Sequence, residues 1–139
     1  IVEAAGQAGV LIVGDLALLH DSNGLLDAMR TQEGLLIIAI NNQGGGIFEL
    51  LPAARQVGAF ETLFATPQSV DLEALAKAHS VDYFRAEDAD SLRSGLSKWK
   101  RTGLALLEVC IDRKISADLH RSSLNIVSEA PLEFFKNHE

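Results

Sequence analysis

The chain has 139 residues, enough for one domain, and 47% hydrophobic with 22% charged residues is a globular composition rather than a disordered one. A net charge of −7 and a pI near 5.0 argue against a nucleic-acid partner, whose phosphates need a basic face. The same balance predicts that any bound anion is neutralised by a metal or by backbone amides rather than by arginines.

The chain starts at Ile1, not a methionine, inside what reads as the end of a helix, which predicts a piece of a longer polypeptide. Val10-Leu11-Ile12-Val13 is a short apolar run closed by Gly14-Asp15, the pattern of a buried strand that stops abruptly. Asp21-Ser22-Asn23 offers cap residues for a helix with Leu25, Leu26 and Met29 on one face, ending near Gly34. Leu35–Ile40 is a second buried strand, closed by Asn41-Asn42, so the first forty-two residues form a β-α-β unit. Gly44-Gly45-Gly46 then leads into the apolar stretch Ile47–Pro52, followed by an irregular segment with a short helix around Phe60, Leu63 and Phe64.

Asp71 is positioned to cap a helix with Leu72, Leu75 and Ala76 inward, His79 closing it. Val81–Arg85 reads as a third strand and Leu104–Ile111 as a fourth. Between them Leu92, Leu96 and Trp99 mark one helical face, because positions i, i+4 and i+7 stack together. A last helix is expected near Pro131–Lys136. Strand and helix alternate, which predicts an α/β fold, an open parallel sheet with helices on both faces and right-handed crossovers. Four strands are few for such a sheet, again as expected of a domain that is N-terminally incomplete. The longest apolar run is too short to span a membrane and no segment reads as a signal peptide, so a cytoplasmic protein is expected.

Chemistry is expected at the carboxyl ends of the strands, where open parallel sheets bind ligands. The first strand ends in Gly14-Asp15 and the second in Asn41-Asn42, with Asp15 and Asn42 27 positions apart. Were those strands neighbours, their ends would lie about 5 Å apart. A carboxylate, a carboxamide and a backbone carbonyl are hard oxygen ligands suited to Mg²⁺ beside two phosphate oxygens. Gly14 permits a tight turn that would let the amides of Leu16 and Ala17 face a phosphate, and the glycine run lets the main chain approach closely. A helix starting near Asp21 would add partial positive charge. Gly-Asp and Asn-Asn-Gln-Gly are equally good turn chemistry, so the residues alone leave both readings open.

Gly14-Asp15 followed by Asn41-Asn42 resembles the cofactor motif of thiamine-diphosphate enzymes, with Leu16 where the wider family has a second glycine. The strings GDLALLHDSNGL and NNQGGGIFELLP are similar to the C-terminal domain of the SEPHCHC synthase family (2-succinyl-5-enolpyruvyl-6-hydroxy-3-cyclohexene-1-carboxylate synthases), where Gly-Asp-Leu is normal. The likeness runs more weakly through Phe60–Pro67 and the helix after Asp71 to Leu119-His120-Arg121.

The resemblance implies one diphosphate- and magnesium-binding domain over residues 1–139, part of a larger multi-domain enzyme. It implies that Asp15, Asn42 and the Gly44 carbonyl hold Mg²⁺ (or Mn²⁺), and that Gly14, Leu16, Ala17, Asn41, Gly45 and Ile47 join them around thiamine diphosphate. Ile47, Phe48 and Leu51 match the family's apolar patch facing the substrate, although plain core packing accounts for them equally. The implied reaction is a transferase step of menaquinone or phylloquinone biosynthesis: decarboxylation of 2-oxoglutarate and addition of the resulting carbanion to isochorismate. The activating glutamate and a pyrimidine-binding domain are expected from a neighbouring subunit of a homodimer or homotetramer, and no catalytic residue is expected in this chain. The competing readings are another thiamine-diphosphate 2-oxoacid decarboxylase or carboligase, and a non-catalytic α/β module. The histidines His20, His79, His120 and His138 are too scattered for a triad or a zinc site. Cys110, the sole cysteine, excludes a disulfide framework and reads as a small buried strand residue.

Overall fold

The computed structural model describes residues 4, 6–28, 30, 33–55 and 58–136. The expectations for Ile1, Met29 and His138 therefore lie outside the described residues. The chain divides into two compact units, Ile1–Gly44 with Pro67–Ile111, and Gly45–Thr66 with Asp112–Glu139.

The first unit is a four-stranded, all-parallel sheet in the order β1-β2-β4-β3. Its strands are β1 (Gly9–Gly14), β2 (Leu35–Asn41), β3 (Asp82–Ala86) and β4 (Leu104–Cys110), each within a residue or two of the sequence expectation. In β2 and β4 runs of apolar side chains, interrupted in β4 by Glu108, suit positions covered on both faces. One face packs Ile37, Ala39, Leu104 and Leu106 under Leu18 and Leu25 of α1 (Asp15–His20) and α2 (Gly24–Ala28), and under Leu72 and Ala76 of α3 (Leu72–Ala78). The other packs Leu36, Ala105 and Leu107 under Leu92 and Trp99 at α4 (Ala89–Lys98). Each fully buried leucine is worth about 2 kcal/mol of transfer free energy. Helices thus cover both faces, as expected.

Several local expectations change. Val10, Leu11 and Ile12 of β1 are exposed rather than buried, because β1 is an edge strand; on the face of Val10 and Ile12, α4 lies over the β3–β4 end. An additional helix, α1, starts at Asp15 with Gly14 in the extended N-cap conformation, and the helix expected after Asp21–Asn23 forms as α2, spanning only Gly24–Ala28. Leu26 and Leu96 are exposed, so neither completes the inward face assigned to it. On α4 the inward position belongs to Gly95, where a Cβ would stand 2.8 Å from Leu107 Cδ1; the missing side chain lets the helix settle onto β4. Asp71 does cap α3, its carboxylate accepting from the Ala74 amide at 2.9 Å, and His79 is the C-cap.

The second unit is built from 3₁₀ turns at Gly46–Leu50 and Pro52–Arg55, a π-helical turn at Glu61–Ala65, and α5 (Arg113–Lys136), which includes the helix expected at Pro131–Lys136. Phe60 stacks on Phe64 at 5.8 Å and Phe48 meets the Phe64 ring edge-on at 6.0 Å. Phe60 is buried, but Leu63 of the expected helical face is exposed. Arg113 Nε lies 2.9 Å from Glu49 Oε1, an ion pair without hydrogen-bond alignment, and its Nη2 is 2.7 Å from Glu61 Oε1. The Arg113 hydrogen bond, with its charge, holds Glu61 below the usual carboxylate range. Arg121 donates to the Glu49 carbonyl and pairs with Asp118 at 2.6 Å, a structural role the sequence reading did not supply.

Candidate diphosphate and metal site

In parallel pairing β1 and β2 run in register from Gly9 opposite Leu35 to Gly14 opposite Ile40, so both strands end together. Asp15, the residue after Gly14, and Asn42, the residue after β2, therefore stand at the same carboxyl edge on adjacent strands. Asp15 is 2% exposed, an unusual position for a carboxylate at the start of a helix. Its Oδ1 accepts from the Leu16 amide at 2.9 Å, so that amide is engaged locally rather than turned to an outside anion. Ala17 is exposed. Asp15 Oδ2 accepts from the Gly44 amide at 2.9 Å and from Gln68 Nε2 at 3.0 Å.

The turn after β2 is fixed from both ends. Asn41 Oδ1 accepts from the Gln43 amide two residues on, at 3.0 Å, the Asx-turn that this side chain favours. Gln43 sits at φ 59 and Gly44 at φ 139, a conformation that costs a side-chain-bearing residue about 1–3 kcal/mol and persists where the surroundings over-determine it. Here the Asn41 and Asp15 carbonyl-type oxygens do so. Asn42 Oδ1 is buried and has no hydrogen-bond partner. Buried acceptors are nearly always satisfied, so an unpartnered one on the strand end adjacent to buried Asp15 is free to accept from a ligand. Among the described residues no group of three His, Cys, Asp or Glu side chains is arranged for a metal. The edge offers instead one carboxylate and one carboxamide oxygen, hard donors of the kind that Mg²⁺ takes.

Two residues that sequence reasoning missed complete this edge. Gln68 bridges Asp15 and Asn41, its amide 3.5 Å from Asn41 Oδ1, while its Oε1 accepts from the Val70 amide at 2.7 Å. Glu108 on β4 is 3% exposed and takes Asn41 Nδ2 on Oε1 at 2.6 Å. The Tyr83 hydroxyl donates to its other oxygen, and Arg85 Nη1 lies 3.8 Å from that oxygen. The available signal was an acid inside the apolar run Leu104–Cys110; for Gln68 there was none. Burial, then Glu108, push the Tyr83 hydroxyl and the Cys110 thiol above their ordinary ranges. Cys110 is half-buried rather than buried, and its surroundings favour the thiol over the thiolate.

Gly45, Ile47, Phe48 and Leu51 belong to the second unit. Gly45 is buried, its amide donating to the Ala65 carbonyl at 2.7 Å, and a Cβ there would stand 2.6 Å from the Phe64 carbonyl oxygen. Ile47, Phe48 and Leu51 are exposed, Ile47 to 72%. They are not core residues of their unit.

A four-stranded parallel sheet covered by helices, with a buried aspartate and an unpartnered asparagine oxygen at adjacent strand ends, defines an α/β domain with a polar carboxyl edge. Residues 2–109 match the family described as thiamine pyrophosphate enzyme, C-terminal TPP binding domain, and the chain belongs to that family. It is 45% identical over 120 residues to the 2-succinyl-5-enolpyruvyl-6-hydroxy-3-cyclohexene-1-carboxylate synthase of Myxococcus xanthus, covering 85% of this chain and 20% of that protein. To the synthases of the same name from Gloeothece citriformis and a Synechococcus species it is 41% and 50% identical over 119 and 116 residues, 86% and 81% of this chain and 20% of each protein. The chain thus spans about a fifth of the length of these relatives. A benzoylformate decarboxylase structure from Polynucleobacter necessarius superposes with a TM-score of 0.64 at 18% identity, over 75% of this chain and 19% of that one, which shows a shared fold.

Proposed function

We propose that this chain is the diphosphate- and magnesium-binding part of a thiamine-diphosphate carboligase that decarboxylates 2-oxoglutarate and joins the product to isochorismate, forming 2-succinyl-5-enolpyruvyl-6-hydroxy-3-cyclohexene-1-carboxylate on the menaquinone or phylloquinone pathway. The observation that carries the site is the buried, unpartnered Asn42 Oδ1 at the strand end adjacent to buried Asp15. The substrate assignment rests on the relatives of that name, which the chain matches along more than four-fifths of its own length.

Thiamine diphosphate, when bound, supplies the electron sink for decarboxylation and carbon–carbon bond formation. The residues of this chain bind and orient. Asp15 and Asn42 would give side-chain oxygens to Mg²⁺ and Gly44 its carbonyl, while Asn41 and Gln68 hold the turn in place. Gly14, Leu16, Ala17, Gly45 and Ile47 are proposed as neighbours of the cofactor, and Ile47, Phe48 and Leu51 as its substrate-facing apolar patch, on the strength of the sequence likeness. A pyrimidine-binding domain with the activating glutamate, contributed by a partner subunit of a cytoplasmic homo-oligomer, completes the proposal. Among the described residues no helix is long and apolar enough to cross a membrane.

The test is Asp15→Ala in the full-length protein. Magnesium-dependent binding of thiamine diphosphate, followed by calorimetry, should be lost while the far-ultraviolet circular dichroism stays that of the parent. Unchanged affinity would show that the metal is held elsewhere.

A further inference from the structure

Asn41 carries two hydrogen-bonding groups that look opposite ways. Its Oδ1 accepts from the Gln43 main-chain amide and its Nδ2 donates to Glu108 Oε1. A backbone N–H can only donate, and an ionised carboxylate can only accept. Together these neighbours dictate a single orientation of the Asn41 amide: oxygen to the turn, nitrogen to β4. Without the carboxylate the amide is free to rotate, and a rotated amide would set its NH₂ against the Gln43 N–H. The turn so held is the one at positive φ that carries Asn42 and presents the Gly44 amide to Asp15. Gln68, bonded to Asp15 Oδ2 and reaching Asn41 Oδ1, ties the same two residues on the other side. Glu108 is itself fixed, between the Tyr83 hydroxyl and Arg85 on β3 and Asn41 on β2.

We propose that Glu108 is a positioning residue for the metal–diphosphate edge: buried in β4, it acts through the Asn41 side chain to hold the Asn41–Gly44 turn in the conformation that binds Mg²⁺ and diphosphate. This rests on the site reading given above. Residues that orient metal ligands from behind change metal affinity by about 10–100-fold when removed, and that is the size of effect assigned to Glu108.

The experiment uses the full-length protein titrated calorimetrically with thiamine diphosphate, with Mg²⁺ in excess and again with EDTA. The variants are Asp15→Ala, Glu108→Leu, Asn41→Ala and the Glu108→Leu/Asn41→Ala double. If Glu108 works through Asn41, each of the two single variants binds about 10–100-fold more weakly in Mg²⁺, and the double variant is no weaker than the worse single, since coupled residues do not add. A merely structural glutamate would lower thermal stability and leave the magnesium-dependent affinity of the folded protein unchanged. Wild-type affinity in folded Glu108→Leu, or losses that multiply in the double variant, would overturn the inference. Should Glu108→Leu not fold, Asn41→Ala at the half-exposed strand end decides, and wild-type affinity there overturns it as well. Failure of the underlying site reading has a separate signature: affinity indifferent to Mg²⁺ in the parent, or unchanged in Asp15→Ala.

Discussion

Single residues at the strand ends are constrained by what surrounds them more than by their own propensities. Asp15 shows it: a carboxylate opening a helix is ordinary dipole chemistry on a surface, but here it is buried and accepts three N–H groups. Gly34 shows it sterically. It precedes β2, and a Cβ there would lie 2.3 Å from both the carbonyl carbon and the oxygen of Arg101, main-chain atoms that cannot swing aside. The close approach lets the Leu35 amide reach the Gly103 carbonyl at 2.9 Å and sets the start of the β2–β4 ladder. Gly34→Ala is accordingly expected to destabilise the protein by about 1–3 kcal/mol through overpacking, read as a lower midpoint in denaturant unfolding. A variant as stable as the parent would mean that the loop at Arg101 yields.

At the scale of elements, helix ends are specified by side chains that the sequence displays openly. Asp88 caps α4 in a complete capping box, accepting from the Ser91 amide at 2.7 Å while Ser91 Oγ receives the Asp88 amide at 3.1 Å. The Ser91 hydroxyl and amide together hold the Asp88 carboxyl below the usual carboxylate range. With its folded value depressed, this group adds stability that is present above the unfolded pKa, near 4, and is lost as the pH falls through the lower folded value. Asp88→Asn keeps a capping oxygen but does not titrate. Its stability is expected to decline less than the parent's between about pH 5 and pH 2, measured by denaturant unfolding at stepped pH. Equal declines would place the acid sensitivity on other groups. Strand β1 teaches the opposite lesson: its apolar run was legible, but its exposed Val10 and Ile12 follow from an edge position that no local pattern encodes.

At the scale of the whole molecule, the chain has the diphosphate edge of the proposed site, and the aminopyrimidine is proposed to be held by another domain. Forfeiting half of a ligand's contacts costs several factors of ten in affinity, each worth about 1.4 kcal/mol. These 139 residues alone are therefore expected to show no turnover of 2-oxoglutarate and no micromolar binding of thiamine diphosphate with Mg²⁺ by calorimetry. Micromolar binding would make the domain self-sufficient and the divided site wrong. Exposed Ile47 and Leu51 should also promote self-association of the isolated chain, which sedimentation at increasing concentration reads directly.

The sequence by itself determined the four strands, the cap of α3, and the polar residues ending β1 and β2, because periodicity, capping and turn chemistry act over a few residues. Only the tertiary structure decided that β1 and β2 are neighbours, that α4 seats Gly95 rather than Leu96 on the sheet, and that α1 begins at Asp15 itself. It alone brought Glu108 to Asn41, 67 positions away, and Gln68 to Asp15, 53 away. Such pairs are set by strand order and register, which emerge from burying both faces of one sheet at once. The polar atoms left between those strands then have to satisfy one another or a ligand, and Asn42 Oδ1 has no hydrogen-bond partner among the described residues.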